Sequence, residues 1–155
     1  MIQTRSIVWV LTCATILCGC SKTLDFRNAE ISQGKVYLPG ANEPFSGKLT
    51  NIPFEKLPAS KVYSLAVQSA QAKSKNALIY TSVFGETHGA LCNTKINNGI
   101  VDGEATCSMT DGGMPVFKFN FENGQLNGDV TVYDLEDKGS VLASGHFANG
   151  QLAGT

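Results

Sequence analysis

The segment Phe121-Glu-Asn-Gly-Gln-Leu-Asn-Gly128 predicts a β-hairpin. An Asn-Gly dipeptide between alternating apolar and polar residues favours a two-residue turn, because both turn residues adopt a positive φ. The pattern recurs as Asn98-Gly-Ile-Val-Asp-Gly103 and as Asn149-Gly-Gln-Leu-Ala-Gly154, at spacings of 25 and 26 residues. A constant period of this length is typical of a structural repeat in which each unit packs against the next.

A second turn signal separates the hairpins. It reads Asp111-Gly-Gly113 in one unit and Asp137-Lys-Gly139 in the next. A degenerate upstream copy, Asn42-Glu-Pro-Phe-Ser-Gly47, keeps the Asn, the apolar residue three positions later and the final Gly. The sequence therefore predicts a mainly β fold, built as an antiparallel meander of hairpins.

The repeat also predicts how the strands pair. We place the apolar residue two before each Asn opposite the Gly five after it, as for Phe121 and Gly128. The equivalent register in the first hairpin puts Cys92 opposite Cys107. Because the chain carries an export signal, described below, these two cysteines are expected to meet in an oxidising compartment and form a disulfide.

Residues 51–88 interrupt the repeat. An apolar stripe containing Val62, Ala66 and Ala70 predicts one helix over about 60–74, within an insert at about 51–76. Such a helix covers the apolar face that a single sheet leaves open. The apolar run 77–84 predicts a buried strand. Whether the insert only completes the core or also takes part in recognition stays open.

The N-terminus, MIQTRSIVWVLTCATILCGC, predicts an export signal. Its apolar stretch 7–17 is shorter than the ~20 residues of a membrane-spanning helix. The end, Leu17-Cys-Gly-Cys20, resembles the bacterial lipobox, although Cys18 replaces the usual small residue. The resemblance implies that Cys20 carries a lipid. Because Ser21 rather than Asp follows, it also implies the periplasmic face of the outer membrane. An ordinary secretory signal cut nearby is the alternative.

These features divide the chain into a signal peptide at 1–19, an N-terminal tether at 20–34 and a single β domain at 35–155. The whole chain has 12 Lys plus Arg against 13 Asp plus Glu, a formal net charge of −1. Nucleic acid is not an expected partner, because its phosphates require a basic excess.

Sequence patterns for catalysis are sparse. The chain contains no HExxH, GxSxG or Walker motif, so we expect no enzyme activity, no cofactor and no metal. Of the two histidines, His146 is predicted to lie on the solvent side of a strand, and His88 belongs to Glu86-Thr-His88. That triplet is the one constellation that merits a catalytic test.

Acidic residues are concentrated in the repeats, in turns or at outward strand positions. They either keep the domain soluble or attract a basic partner that also contacts an aromatic anchor. The candidate partner-binding residues are Asp102, Glu104, Asp129, Tyr133, Asp134 and Asp137.

The NG…G turn followed by a DG turn resembles the MORN (membrane occupation and recognition nexus) repeat, clearly over 94–155 and weakly over 35–50. The resemblance implies β-hairpins that bind rather than catalyse. Similar bacterial repeats occur in exported lipoproteins and in immunity factors, including some next to type VI secreted phospholipase effectors. The implied function is an immunity protein that neutralises a secreted antibacterial effector by occlusion. The alternative is a structural or assembly lipoprotein that binds an envelope protein or a lipid.

Overall fold

The computed structural model describes residues 22–76, 78, 79, 81, 89–109 and 113–154. Helix α1 spans Ser60–Ala72. The strands are β1 (Thr23–Asp25), β2 (Glu30–Ser32), β3 (Lys35–Tyr37), β4 (Gly47–Pro53), β5 (Leu91–Asn97), β6 (Ile100–Ser108), β7 (Pro115–Glu122), β8 (Gln125–Tyr133), β9 (Val141–Ala148) and β10 (Gln151–Gly154).

Eight strands form one sheet in the order β1-β4-β5-β6-β7-β8-β9-β10, and β2 and β3 form a separate hairpin. Strands β4 to β10 pair antiparallel with their neighbours, so the predicted meander is confirmed. Strand β1 is a departure, because it runs parallel to β4 with Leu24 beside Leu49. Both leucines are buried. The range 20–34, expected as a tether, is therefore built into the fold over its described residues.

The Asn-Gly turns have the expected backbone. Asn98, Asn123 and Asn149 have φ values of 49°, 49° and 50°, and a glycine with positive φ follows each of them. The β2–β3 hairpin uses Gln33-Gly34 in the same way, with φ values of 50° and 73°. The sequence reading missed this turn because Gln replaces Asn.

Away from the turns, the predicted register is confirmed. Cys92 lies opposite Cys107, and their sulfur atoms form the expected disulfide. Phe119 lies opposite Val130 in the next hairpin, also as predicted. All four side chains are buried on the face of the sheet that carries the core.

Close to the turns, the predicted register is wrong. Phe121 pairs with Leu126 rather than with Gly128, and an irregularity follows in the ladder. Gly128 has a φ of 98° at this bulge and faces Phe147 of the following strand. The two-residue turn determines which residues pair next to it. Beyond the bulge, the remaining residues of the two strands pair in the predicted register. Gly103 likewise lies opposite Phe121, so the glycines of the first two Asn-Gly hairpins each pair with a phenylalanine of the next hairpin.

Helix α1 confirms the prediction and packs against β8 and β9. It buries Val62, Ala66 and Ala70, which form the predicted stripe. The strand expected at 77–84 is wrong where it can be compared, because residues 78, 79 and 81 are helical. The other residues of that run lie outside the described part.

Candidate binding surfaces

Each Asn-Gly turn is tied to the return strand before it. The Gly124 amide donates to the Val101 carbonyl at 2.9 Å, and the Gly150 amide donates to the Leu126 carbonyl at 2.7 Å. The Gly99 amide makes the same contact with the Phe45 carbonyl at 2.8 Å. The degenerate copy 42–47 therefore occupies the same structural position as the later return strands.

A second tie at these turns explains one predicted site residue. The amide of Asn123 donates to Asp102 Oδ1 at 3.4 Å, and the amide of Asn98 donates to Ser46 Oγ at 2.8 Å. Asp102 Oδ2 also accepts a bond from Asn97 Nδ2 at 3.2 Å. The Asp102 carboxylate therefore holds adjacent turns together.

Asp134 does not lie on an outward surface, as the sequence reading expected. It is 5% exposed and accepts backbone hydrogen bonds from Glu136 at 2.8 Å and from Asp137 at 3.2 Å. Lys75 Nζ lies 3.0 Å from its other oxygen. Hydrogen bonding to Asp134 raises the pKa of Lys75. These donors compensate the burial of the carboxylate, which orders the β8–β9 loop beside the end of the helix. Asp137 is exposed in that loop.

The remaining candidates share one face of the sheet, opposite to the helix. We call it the outer face. It comprises the outward side chains of the central strands, among them Lys48, Asn93, Lys95, Glu104, Thr106, Lys118, Asn120, Asp129, Thr131, Tyr133, Ser144 and His146.

Charges on the outer face are mixed rather than uniformly acidic. Glu104 lies 3.0 Å from Lys118 Nζ on the neighbouring strand, and this hydrogen bond raises the pKa of Lys118. Asp129 lies 2.8 Å from Nδ1 of His146. These side chains remain largely solvent-accessible, with Asp129 87% exposed. The acidic surface that the sequence suggested is thus a set of cross-strand pairs around Tyr133.

A groove opens on the opposite side, between the β2–β3 hairpin and the core face of the sheet. We call it the N-terminal groove; its volume is about 290 Å³. The lining is mostly apolar and includes Phe26, Ile31, Val36, Leu49, Ile52 and Val101, with Lys56 beside them. The sequence did not predict this groove, because its lining residues come from segments that are far apart in the chain. Within the sequence, the apolar Ile31 in a short hairpin is the feature that could have indicated it.

The described ranges contain no cluster of three or more His, Cys, Asp or Glu residues that could hold a metal. Cys20 and Glu86-Thr-His88 lie outside those ranges. No helix in the described part of the chain is long and apolar enough to cross a membrane.

Comparison with known proteins gave no match among protein-family models, curated proteins or solved structures. The likeness to MORN repeats therefore stays a prediction from the sequence pattern.

Proposed function

We propose that this protein is a binding module, anchored by a lipid on Cys20 to the periplasmic face of the bacterial outer membrane, that holds a protein partner. The observation that supports this most is the open outer face. Helix α1 packs against the other side of the sheet. The charged side chains of the outer face, together with Tyr133, are therefore accessible to solvent. Aromatic anchors beside complementary charges are typical of protein interfaces.

The outer face is also preorganised. Glu104 and Lys118 hold each other across two strands, as do Asp129 and His146. Side chains already held in one geometry lose less conformational entropy when a partner binds. A surface of this kind suits occlusion of another protein.

The particular function we propose is immunity: the module neutralises a secreted antibacterial effector, for example a type VI phospholipase, by covering its active site. The export signal and the MORN-like repeats support this choice. The second candidate is a structural or assembly lipoprotein that binds an envelope protein or a lipid, and the same anchor favours it. The two functions differ in what deletion of the gene does to the cell.

We expect the partner to present basic groups that engage Glu104 and Asp129. Because Glu104 already pairs with Lys118 and Asp129 with His146, the partner must compete with these two side chains for the carboxylates. Binding should therefore weaken as salt rises, since the exposed charges are screened.

The test is to capture partners with the tagged full-length chain in its native host and then to delete the gene. Immunity predicts that the captured protein is toxic in the envelope and that the deletion strain becomes sensitive to it. If the captured protein is harmless to the deletion strain, the immunity function is contradicted and the structural or assembly role is favoured.

A variant pair tests the surface. The double charge reversal Glu104→Lys with Asp129→Lys should weaken capture by about tenfold or more, because it opposes a basic partner. Glu43→Lys with Glu55→Lys is the matched control, since it makes the same charge change at two exposed residues outside the strands of the outer face. Equal binding by both variants would remove the outer face from the proposal.

The anchor is tested separately. Cys20→Ser should move the protein from the membrane fraction to the soluble fraction and abolish incorporation of labelled fatty acid. Its capture of the purified partner should be unchanged, because Cys20 precedes the first strand. Membrane retention of this variant would contradict lipidation at Cys20.

A further inference from the structure

The N-terminal groove has no part in the proposal above. We propose that it binds a single-chain anionic amphiphile, with the acyl chain between the β2–β3 hairpin and the sheet and the head group at Lys56. This inference is independent of the outer face, because the groove is lined by residues of the opposite, core side of the sheet.

The lining of the groove fits an acyl chain. Phe26, Ile100 and Val101 are half-buried and offer apolar contact area. Other large apolar lining residues, such as Leu49 and Ile52, are buried. Contact with such side chains favours transfer of the methylene groups of an acyl chain from water. A volume of about 290 Å³ lies at the lower end of the range for small-ligand pockets, so one chain fits better than the two chains of a diacyl lipid.

The polar end of the ligand follows from charge. Among the described residues that line the groove, Lys56 is the one that carries a charge. It is exposed, and no ion pair joins it to another residue in the described part of the chain. A carboxylate or phosphate head group would supply its counter-ion while the chain extends over the apolar lining.

The rim favours an amphiphile over an apolar side chain of a protein. Ile31 is 55% exposed at the hairpin, and Pro58 is exposed nearby. The other apolar side chains of the described lining are buried or half-buried, so the exposed apolar area at the groove is small. A protein anchor would be surrounded by a wider apolar patch that excludes water around it.

The experiment uses the purified full-length chain and sodium decanoate below its micellar concentration, followed by titration calorimetry. Decyltrimethylammonium, with the same chain and a cationic head, is the ligand control. We expect saturable, one-site binding of decanoate and binding of the cationic control at least tenfold weaker. Equal binding of both, or none of decanoate, overturns the proposal.

Two variants locate the site. Lys56→Glu should weaken decanoate binding about tenfold or more, and Ile31→Asp should weaken it through the mouth of the groove. Both residues are exposed, so both variants should fold. Lys138→Glu, in the β8–β9 loop, makes the same charge change elsewhere and should bind as the parent does. Unchanged binding in Lys56→Glu overturns the head-group assignment.

Two further experiments distinguish the other possible occupants of the N-terminal groove. Binding to phosphatidylglycerol vesicles without binding to monomeric decanoate would indicate a membrane surface and overturn the proposal. A photo-crosslinker at Ile31 that captures the protein partner in competition with decanoate would assign the groove to a protein anchor instead. The variant Glu104→Lys with Asp129→Lys should keep decanoate binding, so failure of either proposal is recognisable on its own.

Discussion

The hairpins at 91–154 and the segment at 22–76 are stabilised in different ways. In the hairpins, one set of contacts is repeated: an Asn-Gly turn bonds to the previous return strand, and a glycine faces the next large apolar residue. In the N-terminal segment, apart from the degenerate copy at 42–47 and the Gln33-Gly34 turn, the contacts follow no repeat. Asn51 has a φ of 57° and donates to Asp25 Oδ2 at 2.6 Å, which joins β1 to β4. The period in the sequence therefore predicts the structure of the hairpins but not that of the N-terminal segment.

Three lysines connect the two regions. Lys61 Nζ donates to the Gly150 carbonyl at 2.5 Å, and Lys73 Nζ donates to the Leu142 carbonyl at 2.5 Å, while Lys75 pairs with Asp134. The helix of the N-terminal segment is thus fastened at both ends to the last hairpins. The two regions differ in their contacts but share one hydrophobic core.

The largest expected effect is in the shared core of the hairpins. Phe117 is fully buried, and its ring lies 4.9 Å from the ring of Phe54. Phe117→Ala should lower the free energy of unfolding by about 3–5 kcal/mol, from lost burial and a cavity. Phe26→Ala, at a partly buried position of the N-terminal segment, should cost less in the same urea titration. Equal losses would contradict the expectation that the cost follows the burial of the side chain.

The disulfide comes next. Cys92 and Cys107 are 15 residues apart and fully buried. Replacing both by Ala should lower the free energy of unfolding by about 3 kcal/mol, mainly because the unfolded chain becomes less constrained. Denaturant unfolding measures this loss, and intact mass of the parent should show no free thiol at either position. Two free thiols in the exported protein would contradict the pairing.

A matched glycine pair tests where the two regions touch. Gly99 and Gly150 occupy the same turn position, with φ values of 82° and 73°. A Cβ on Gly99 would lie 2.8 Å from Lys35 Cβ and 3.0 Å from Pro44 Cβ, whereas nothing lies within 4 Å at Gly150. Gly150→Ala should cost about 1 kcal/mol from backbone strain alone, and Gly99→Ala about 1–3 kcal/mol more from overpacking. Thermal unfolding of the two variants measures the difference, and equal costs would contradict the close approach.

The smallest effect concerns acid sensitivity of the N-terminal segment. Hydrogen bonds from the Arg27 side chain and backbone, followed by one from Asn51, hold the pKa of Asp25 well below its usual value of 3.8. A lowered folded pKa stabilises the protein above the unfolded pKa, and this stability is lost as the pH falls through the folded pKa. Asp25→Asn should therefore be less stable than the parent above about pH 4. The difference should shrink below that pH, which unfolding curves between pH 2 and pH 7 would measure. A constant difference would contradict the assignment.

The sequence predicted the structure well where the backbone conformation depends on neighbouring residues in the chain. Asn123-Gly124 requires two positive φ values whatever surrounds it, and a buried stripe with a 3.6-residue period marks helix α1. The candidate site was harder to predict. The patterns identified Tyr133 and Asp129 as outward residues, but they treated Asp134 as exposed, although the helix brings Lys75 to it. Charge pairing across strands, such as Glu104 with Lys118, depends on neighbours that no short motif contains.

By itself, the sequence determined the meander, the helix, the three turns and the disulfide, because each follows from a period or from residues paired across one hairpin. Only the tertiary structure decided that β1 joins the sheet in parallel, that Gly128 faces Phe147 rather than Phe121, and that Asp134 is buried. It also decided that four distant segments enclose the N-terminal groove. These features arise where parts of the chain without sequence similarity pack together, and the free energy of such packing is absent from any local pattern.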